Sequence, residues 1–534
     1  MTMQELSLDD HQRLVAALLE SLASASPDET ARRIETHISS VILHGDFAYK
    51  IKKPLDFGFL DFTTLDHRRH FCREELRLNR RLAPRIYLDV VPITGSTTDP
   101  VLRGDDKPIE YAVRMRRFSQ DALLSRLAAT RDLPIEIAEA LAAQVADFHS
   151  RAARAPADSV FVAPEAVRFP VMENFEQISS LITDSASVAQ LERLEQWTRE
   201  TYARLHDRLA ERGAAGWIRE CHGDMHLGNM ALIDDQVVIF DGIEFSERMR
   251  WTDVLGDVGF LAMDLHDRGL PAHANRFLNS WFEHTGDVTA LPLLDFYRAY
   301  RAMVRAKIAA LRLSQQLAAD ERAQVLTEYH GYADLAERYT QRRQPLLCIT
   351  HGLSGSGKSR LARRLVDRYG MLCLRSDIER KRLHGLAASA RSGSGLEAGI
   401  YTAGATQGTY NRLVDLAGAA LDAGFPVVLD AAFLKRWQRR LFADLAARRG
   451  IPFLILDLDV PLPILQERVR RRSEEGTDAS EAGLDVLERQ LVSADPLTDE
   501  EQVARRLVTV NGGELDETLP PLLGPGSGPV RQDS

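Results

Sequence analysis

The sequence predicts two domains, an α+β domain followed by an α/β domain whose parallel sheet is flanked by helices. Three observations support this prediction. Short strand-like runs such as 41–43 and 47–51 precede a helix around 71–82. From about 120 to 340 the pattern is mainly helical. After the polar stretch at 341–345, strands and helices alternate, and such an order implies right-handed crossovers between parallel strands.

Length and composition set broad limits on function. The 534 residues suffice for two to four domains, and 45% hydrophobic with 27% charged residues is typical of globular proteins. The net charge of −10 disfavours a general nucleic-acid binder, because phosphate backbones need a basic surface. The four cysteines are scattered and lack the spacing of a metal or redox motif, which indicates reduced thiols.

The location in the cell is predicted from two features. The acidic start, MTMQELSLDDHQRL, lacks the basic-then-apolar order of a signal peptide. No stretch approaches the roughly 18 apolar residues of a membrane span. We therefore expect a cytoplasmic protein without a membrane partner. The oligomeric state leaves no signal in the sequence.

The clearest motif lies between an apolar strand at 346–350 and an amphipathic helix. Its glycines let successive N–H groups point at phosphate oxygens beside the positive N-terminus of the helix. The lysine would contact the β- and γ-phosphates, and the following hydroxyl would ligate Mg²⁺. The motif therefore predicts binding of ATP as its magnesium complex. Its residues are Gly352, Leu353, Ser354, Gly355, Ser356, Gly357, Lys358 and Ser359.

Further residues of this part indicate phosphoryl transfer. Asp377 follows the second strand, where it would accept a proton from an attacking hydroxyl or cap a helix. Asp430 ends the next apolar strand as a magnesium-binding acid would, although a turn aspartate has the same pattern. Arg468 and Arg472 share a helix face and suit a lid over the transferring phosphate, or a solvated basic face.

A second constellation lies in a strand-and-loop island at 217–245. Asp224 is followed five residues later by Asn229, and a hydrophobic strand then ends at Asp241. This spacing is that of the protein-kinase catalytic loop and its metal-binding aspartate. Asp224 would orient or deprotonate the acceptor hydroxyl, while Asn229 and Asp241 would hold Mg²⁺. The nearby histidines lack a third ligand at zinc spacing.

The first strands supply a candidate phosphate-anchoring lysine. Lys50 is favoured, although Lys52 lies on the same strand face. Its glutamate partner would be Glu74 or Glu75, and the sequence leaves this choice open. No G-x-G-x-x-G loop precedes the lysine, and residues 44–46 have the pattern of a tight hairpin.

Residues 346 to about 500 resemble the predicted AAA-type P-loop kinases, relatives of polynucleotide, gluconate and shikimate kinases. The matching segments are GLSGSGKS, RSDIERKRL, VVLDAAF, ERVRRR and DASEAGLDVLERQ. The resemblance implies that Asp377 is the catalytic base and that Arg468 and Arg472 belong to a lid. It implies kinase chemistry and leaves the acceptor open.

Residues from roughly 35 to 335 resemble the aminoglycoside phosphotransferase family, in a branch fused to a P-loop kinase domain. The matching segments are HGDMHLGN and FDGIEF, together with His149, Asp253 and Asp257. The resemblance implies a bilobal, protein-kinase-like fold. The predicted domain limits are 1–340 (N-lobe to about 115, C-lobe about 120–340), 345–515 for the P-loop kinase domain, and a disordered tail at 516–534.

These features predict an ATP-dependent kinase that transfers the γ-phosphoryl group to a hydroxyl of an unidentified small molecule, with two kinase-type ATP sites. A polynucleotide-end kinase is the first alternative, since the basic clusters at 380–382, 435–436 and 439–440 lie near the P-loop half. Few aromatic residues interleave with these clusters, which disfavours single-strand binding. The second alternative is an ATP-binding switch without an acceptor.

Overall fold

The computed structural model describes residues 6–25, 31–58, 60–388, 390, 399–475, 483–508 and 519–523. Contacts between Cα atoms divide the chain into two compact units. Unit 1 comprises Met1–Ile137, Asp147–Glu173 and His206–Asp264, and unit 2 comprises Ala138–Ala146, Asn174–Leu205 and Leu265–Ser534. The division differs from the predicted boundary at 341–345, because residues 265–340 group with the last part of the chain. The predicted domain limits remain a prediction, since contact grouping does not establish which segment folds alone.

Unit 1 begins with a six-stranded antiparallel sheet in the order β1-β2-β3-β6-β4-β5. Helix α1 packs on this sheet around Ile42, Ile51 and Ile93, and α2 contributes Cys72 to a second apolar cluster. The predicted hairpin is present, since His44 pairs with Phe47 across a two-residue turn. The elements are α1 (Leu8–Ala25), β1 (Arg32–Glu35), β2 (Ser39–His44), β3 (Phe47–Lys52), α2 (Leu65–Asn79), β4 (Tyr87–Gly95), β5 (Pro100–Leu102) and β6 (Glu110–Arg116).

The rest of unit 1 is mainly helical and contains two small antiparallel sheets, β10-β7 and β8-β9. Four of the described helices have residues in both units, namely Glu136–Arg151, Pro164–Ser179, Ser185–Ala214 and Leu255–Asp267. The elements are α3 (Leu124–Ala129), α4 (Glu136–Arg151), α5 (Pro164–Ser179), α6 (Ser185–Ala214), β7 (Ile218–Glu220), β8 (Met230–Ile233), β9 (Gln236–Ile239), α7 (Glu247–Arg250), β10 (Trp251–Asp253) and α8 (Leu255–Asp267).

Unit 2 contains a five-stranded, fully parallel sheet in the order β12-β13-β11-β14-β15. The predicted alternation of strands and helices is confirmed. The elements are α9 (Pro271–Thr285), α10 (Leu291–Arg312), α11 (Ala319–Thr340), β11 (Leu347–His351), α12 (Lys358–Tyr369), β12 (Leu372–Arg375), α13 (Ser376–Leu383), α14 (Ala403–Asp422), β13 (Val427–Asp430), α15 (Arg436–Arg449), β14 (Phe453–Leu458), α16 (Leu462–Glu475), α17 (Leu484–Ser493), α18 (Asp499–Ala504), β15 (Arg505–Val508) and α19 (Pro520–Leu523).

The core of the parallel sheet extends to the end of the described chain. Of the predicted disordered tail only residues 519–523 are described, and the rest lies outside the described residues. Leu519 and Leu523 are buried in one cluster with Cys348 and Leu365. This short segment is therefore packed, because its leucines cover apolar surface that would otherwise face water. Among the described residues, no helix combines the length and apolar character that a membrane crossing requires.

Candidate active sites

The loop at 222–229 in unit 1 is held by two acids of α8. The backbone N–H groups of His222 and Gly223 donate to the Asp257 carboxylate at 2.8 and 2.9 Å, and the N–H of Leu227 donates to Asp264 at 2.9 Å. The two acids lie seven residues apart, which places them on one face of the helix. Burial alone would raise the pKa of Asp257, but hydrogen bonding and the charges of His149 and His222 lower it to about 2. The acid is therefore charged and fixes the loop backbone.

The predicted base and its amide partner meet within this loop. Asn229 Nδ2 donates to the backbone oxygen and to Oδ2 of Asp224, both at 3.0 Å. The Asp224 side chain is 37% exposed, and His226 Nε2 lies 3.3 Å from its Oδ2. The carboxylate is thus oriented by its neighbours and still reaches solvent.

The loop histidines have structural partners. His222 Nε2 lies 3.0 Å from the backbone oxygen of Phe240, and His226 Nδ1 accepts from the N–H of Gly228 at 3.0 Å. A separate buried group, His149, Cys221 and Asp257, could hold a metal ion by distance, with ligand atoms within 4.8 Å of one another. Its Asp257 already accepts two loop N–H groups, so this group is explained as an anchor of the loop.

Asp241 is positioned by contacts with the N-terminal sheet and with α2. Its backbone has a φ of 62°, and its N–H donates to Tyr87 Oη at 3.2 Å. The next N–H, of Gly242, donates to Asn79 Oδ1 at 2.7 Å. Lys50 Nζ lies 2.6 Å from Asp241 Oδ1, although 191 positions separate the two residues. The predicted phosphate-anchoring lysine and metal-binding acid therefore lie side by side.

Of the two candidate glutamates, Glu75 is the one that contacts the lysines. Its Oε1 lies 2.8 Å from Lys50 Nζ and its Oε2 lies 2.7 Å from Lys52 Nζ. Burial would raise the pKa of Glu75, but the two lysines lower it to about 2. Glu74 instead pairs with Arg77 at 2.8 Å. The structure thereby decides a choice that the sequence left open.

Lys52 has a different role from Lys50 in this cluster. It is fully buried and also pairs with Glu244, three positions beyond Asp241. Burial lowers the pKa of Lys50, but Asp241 and Glu75 raise it well above its ordinary value. Lys50 therefore contacts Asp241, the predicted metal-binding acid, whereas the buried Lys52 links Glu244 to Glu75. The role of Glu244 escaped the sequence reasoning, although it lies in the quoted segment FDGIEF.

In unit 2 the predicted phosphate loop joins β11 to α12. Gly355 and Gly357 have φ of 84° and 98°, in the left-handed region that favours glycine. A Cβ at Gly355 would lie 3.0 Å from the backbone oxygen of Leu465, and a Cβ at Gly352 would lie 2.8 Å from Ser356 Oγ. Backbone conformation and close packing therefore both require glycine in this loop.

Two cationic side chains, one from the loop and one from α16, donate to backbone oxygens of the loop. Lys358 Nζ donates to the carbonyl oxygens of Leu353 and Gly352 at 2.7 and 3.0 Å. Arg468 Nη1 donates to the oxygen of Gly355 at 3.4 Å. Ser359 is half-buried in the first turn of α12. The side chain of Arg472 lies outside the described residues, and only its place in α16 is known.

Two adjacent parallel strands, β12 and β13, end at the same edge of the sheet as β11, the strand that precedes this loop. Arg375 and Asp430 are register partners, and Arg375 Nε lies 3.3 Å from Asp430 Oδ2. Asp377 is the second residue of α13, so the helix cap is a different residue, Arg375. The alternative that Asp377 caps this helix is therefore wrong. One turn later, the buried guanidinium of Arg380 lies 4.9 Å from the centre of the Tyr401 ring.

A residue of α17 completes the loop, and the sequence reasoning missed its role. Gln490 Oε1 accepts the backbone N–H of Ser354 at 2.8 Å. Gln490 ends the segment DASEAGLDVLERQ, so the resemblance marked its position but gave no reason for it. The Gln490 side chain accepts this loop N–H, and only the packing of α17 brings the side chain to the loop.

The folds define the class of this protein, an α+β part built on an antiparallel sheet joined to an α/β part with a parallel sheet and a glycine-rich loop. A family model described as an AAA domain matches residues 347–497. The uncharacterized protein Rv2004c of Mycobacterium tuberculosis is 30% identical over 450 residues, which cover 84% of this chain and 87% of that protein. The protein Mb2027c of Mycobacterium bovis matches with the same figures. The chain belongs to the family of these mycobacterial proteins.

Solved structures resemble each part separately. A choline/ethanolamine kinase family protein from Mesorhizobium loti is 13% identical, with 61% of this chain and 95% of that chain covered and a TM-score of 0.38. A sugar kinase from Janibacter sp. is 23% identical, with 31% of this chain and 86% of that chain covered and a TM-score of 0.24.

Proposed function

We propose that this protein is an ATP-dependent phosphotransferase that transfers the γ-phosphoryl group to a hydroxyl of a small molecule, with one kinase-type site in each unit. The observation that carries the proposal is that each unit has a lysine suited to phosphate and a carboxylate suited to magnesium. In unit 1, Lys50 Nζ lies 2.6 Å from Asp241 Oδ1. In unit 2, Lys358 begins the helix after β11, and Asp430 ends β13, the parallel strand beside β11.

The residues present fit ATP with magnesium. In unit 2 the left-handed glycines leave room where a Cβ would collide, and the loop N–H groups can then face phosphate oxygens. Asn229 and Asp241 would hold the ion in unit 1, and Ser359 and Asp430 would hold it in unit 2. When bound, Mg²⁺ neutralises charge on the phosphate oxygens.

The acids supply the proton chemistry. In unit 1, Asp224 accepts the proton of the acceptor hydroxyl while Asn229 holds the carboxylate in place. The acceptor oxygen forms a bond to the γ-phosphorus, the bond from that phosphorus to the bridging oxygen breaks, and ADP leaves with the electron pair. In unit 2, Asp377 would have the corresponding role, and Arg468, which donates to the oxygen of Gly355, would stabilise charge on the transferred group.

The basic clusters do not favour a nucleic-acid acceptor. Arg439 is fully buried and pairs with Glu501 at 2.8 Å, and Lys435 lies 3.5 Å from Asp495. Arg382 pairs with Glu379, and Lys381 is buried. These cations are used within the fold, so a phosphate backbone finds fewer of them than the sequence suggested. These ion pairs therefore favour a small-molecule acceptor over a nucleic-acid end.

The test is product identification by mass spectrometry after incubation of the full chain with MgATP and a metabolite pool. Removal of a general base lowers a rate by roughly 10²–10⁴-fold. We expect Asp224→Asn to remove the product of unit 1 and Asp377→Asn to remove that of unit 2. If neither change slows phosphorylation of any acceptor, the assigned bases are wrong. Slow ATP turnover that no acceptor accelerates would instead support a switch.

A further inference from the structure

Helix α9 belongs to unit 2, although it lies well before the polar stretch at 341–345. Its polar contacts with the P-loop part come from positions 275, 276, 279 and 283. The spacing of three or four residues places these side chains on one face of the helix. This face contacts, in order, α12, β12 and α13.

The first contact is with the end of α12, the helix that starts at Lys358. Arg276 Nε donates to Asp367 Oδ1 at 2.8 Å, and Asn275 Nδ2 donates to the backbone oxygen of Asp367 at 3.2 Å. The cap of α12, Gly370, approaches so closely that a Cβ there would lie 3.1 Å from Asn275 Oδ1. The first part of α9 therefore packs directly against the C-terminus of the P-loop helix.

The second contact is with the backbone of β12. Asn279 Oδ1 accepts the N–H of Cys373 at 2.8 Å. Strand β12 is at the edge of the parallel sheet, where one side of its backbone has no neighbouring strand. Asn279 Nδ2 in turn donates to Glu283 Oε1 at 3.1 Å, which orients the amide. The side chain thus takes the place of a neighbouring strand at a residue two positions before Arg375.

The third contact is with α13, which carries Asp377. Arg382 donates to the backbone oxygen of Glu283. A Cβ at Gly286, the cap of α9, would lie 2.8 Å from Arg382 Nε, so the two helices meet closely. The Glu283 carboxylate is also close enough to Arg375 and Asp430 to interact with their charges. Helix α9 therefore holds the turn from β12 to α13 on both sides of Asp377.

We propose that α9 is a positioning element of the unit 2 site and that Asn279 is its main positioning residue. By holding the end of β12, Asn279 fixes the direction in which Asp377 leaves the sheet. The inference rests on the proposed function, in which Asp377 is the base of unit 2. It assigns a role in that site to a segment outside the matched AAA domain at 347–497.

The experiment is a double-mutant cycle between Asn279→Ala and Asp377→Asn in the full chain. Every variant also carries Asp224→Asn, so that turnover reports unit 2. The probe is MgATP hydrolysis with water as the acceptor, together with ATP affinity by calorimetry. His284→Ala is the matched control, because this α9 residue is exposed and its Nδ1 lies 2.8 Å from the backbone oxygen of Ser280 in its own helix.

We expect Asn279→Ala to lower kcat about tenfold, the size of one lost hydrogen bond, and to leave the ATP Kd within about twofold. With Asp377→Asn already present, the same change should lower kcat by less than about twofold, because coupled residues are not additive. His284→Ala should leave both quantities unchanged. If the two losses multiply, Asn279 acts independently of Asp377 and the inference is overturned while the proposed base stands. If Asp377→Asn alone has no effect, the proposed function of unit 2 fails, and the inference fails with it.

A second readout does not depend on turnover. Amide hydrogen exchange should accelerate in Asn279→Ala at Cys373 and through residues 375–380, while β14 keeps its protection. Unchanged exchange at Cys373 would show that Asn279 does not hold β12. Uniformly faster exchange across unit 2 would show a general loss of stability, and either result overturns the inference.

Discussion

The two candidate sites of this chain are built by different physical means. Unit 1 uses side chains from distant segments, and its central contact joins Lys50 to Asp241 across 191 positions. Unit 2 uses consecutive residues, and its glycines at left-handed φ shape the predicted phosphate loop. The first kind of site depends on buried charge, so it fails when a charge is removed. The second depends on backbone conformation, so it fails when a side chain is added.

The largest expected effect is on the stability of unit 1 when a buried charge is removed. Glu75→Gln leaves Lys50 and Lys52 buried with one counter-charge fewer, and breaking such a group costs roughly 3–5 kcal/mol. We expect that loss in the free energy of unfolding of unit 1, measured by hydrogen exchange of β3. The control is Glu74→Gln, whose partner Arg77 is 47% exposed, with a cost of about 1 kcal/mol or less. Equal losses would contradict the assignment of Glu75 as the central acid.

The next prediction concerns pH. Asp257 has a pKa of about 2 in the folded chain, against an ordinary value of 3.8. Its carboxylate therefore stabilises the fold in full above pH about 4, and this stabilisation is lost as the pH falls towards 2. The shift in pKa corresponds to about 2.5 kcal/mol in the free energy of unfolding. We expect the difference in unit 1 stability between wild type and Asp257→Asn to shrink over that pH range. A difference that stays constant from pH 6 to 2 would show that the carboxylate is not the stabilising group.

The third prediction compares the two candidate sites by the number of ATP molecules bound per chain. Calorimetry of the wild type should give two ATP per chain, and Lys358→Ala should weaken one of them by about 1.5–3 kcal/mol, the range for hydrogen bonds to charged groups. The unit 1 site serves as the internal control and should bind unchanged. A single ATP in the wild type that disappears with Lys358→Ala would show that unit 1 does not bind ATP.

The smallest effect tests the backbone of unit 2. Gly355→Ala places a Cβ at a φ of 84° and 3.0 Å from the Leu465 oxygen. Gly424→Ala has the same conformational cost at a φ of 85°, with no atom within 4 Å of its Cβ. Each should lose about 1–2 kcal/mol of stability for the left-handed conformation. Only Gly355→Ala should also lose ATP affinity, and equal affinities in the two variants would argue against a tightly packed phosphate loop.

Local features were predictable from the sequence, including β11, the phosphate loop and α12. The hairpin at 44–46 was also predicted and is present. The helix expected around 71–82 begins earlier, at Leu65, where Thr64 caps it through a hydrogen bond to the N–H of His67. Its boundary was missed because the segment LDHRRH that opens the helix is mostly polar and gives little apolar periodicity.

Contacts between distant segments were not predictable in the same way. Glu74 and Glu75 are adjacent acids on one helix, and only the packing of α2 on the sheet turns Glu75 towards Lys50. The link from Asn279 to Cys373 has no sequence signature, because an asparagine within a helix is ordinary until an edge strand lies beside it.

The amino-acid sequence was enough to predict the order of elements in unit 2 and its glycine-rich phosphate-loop motif, since left-handed glycines and the strand–helix alternation follow from neighbouring residues. The grouping of residues 265–340 with that loop and the pairing of Glu75 with both lysines depend instead on tertiary packing. The difference lies in how far apart along the chain the interacting residues are. Backbone conformation depends on a few consecutive residues, whereas the partner of a buried charge depends on how whole helices pack.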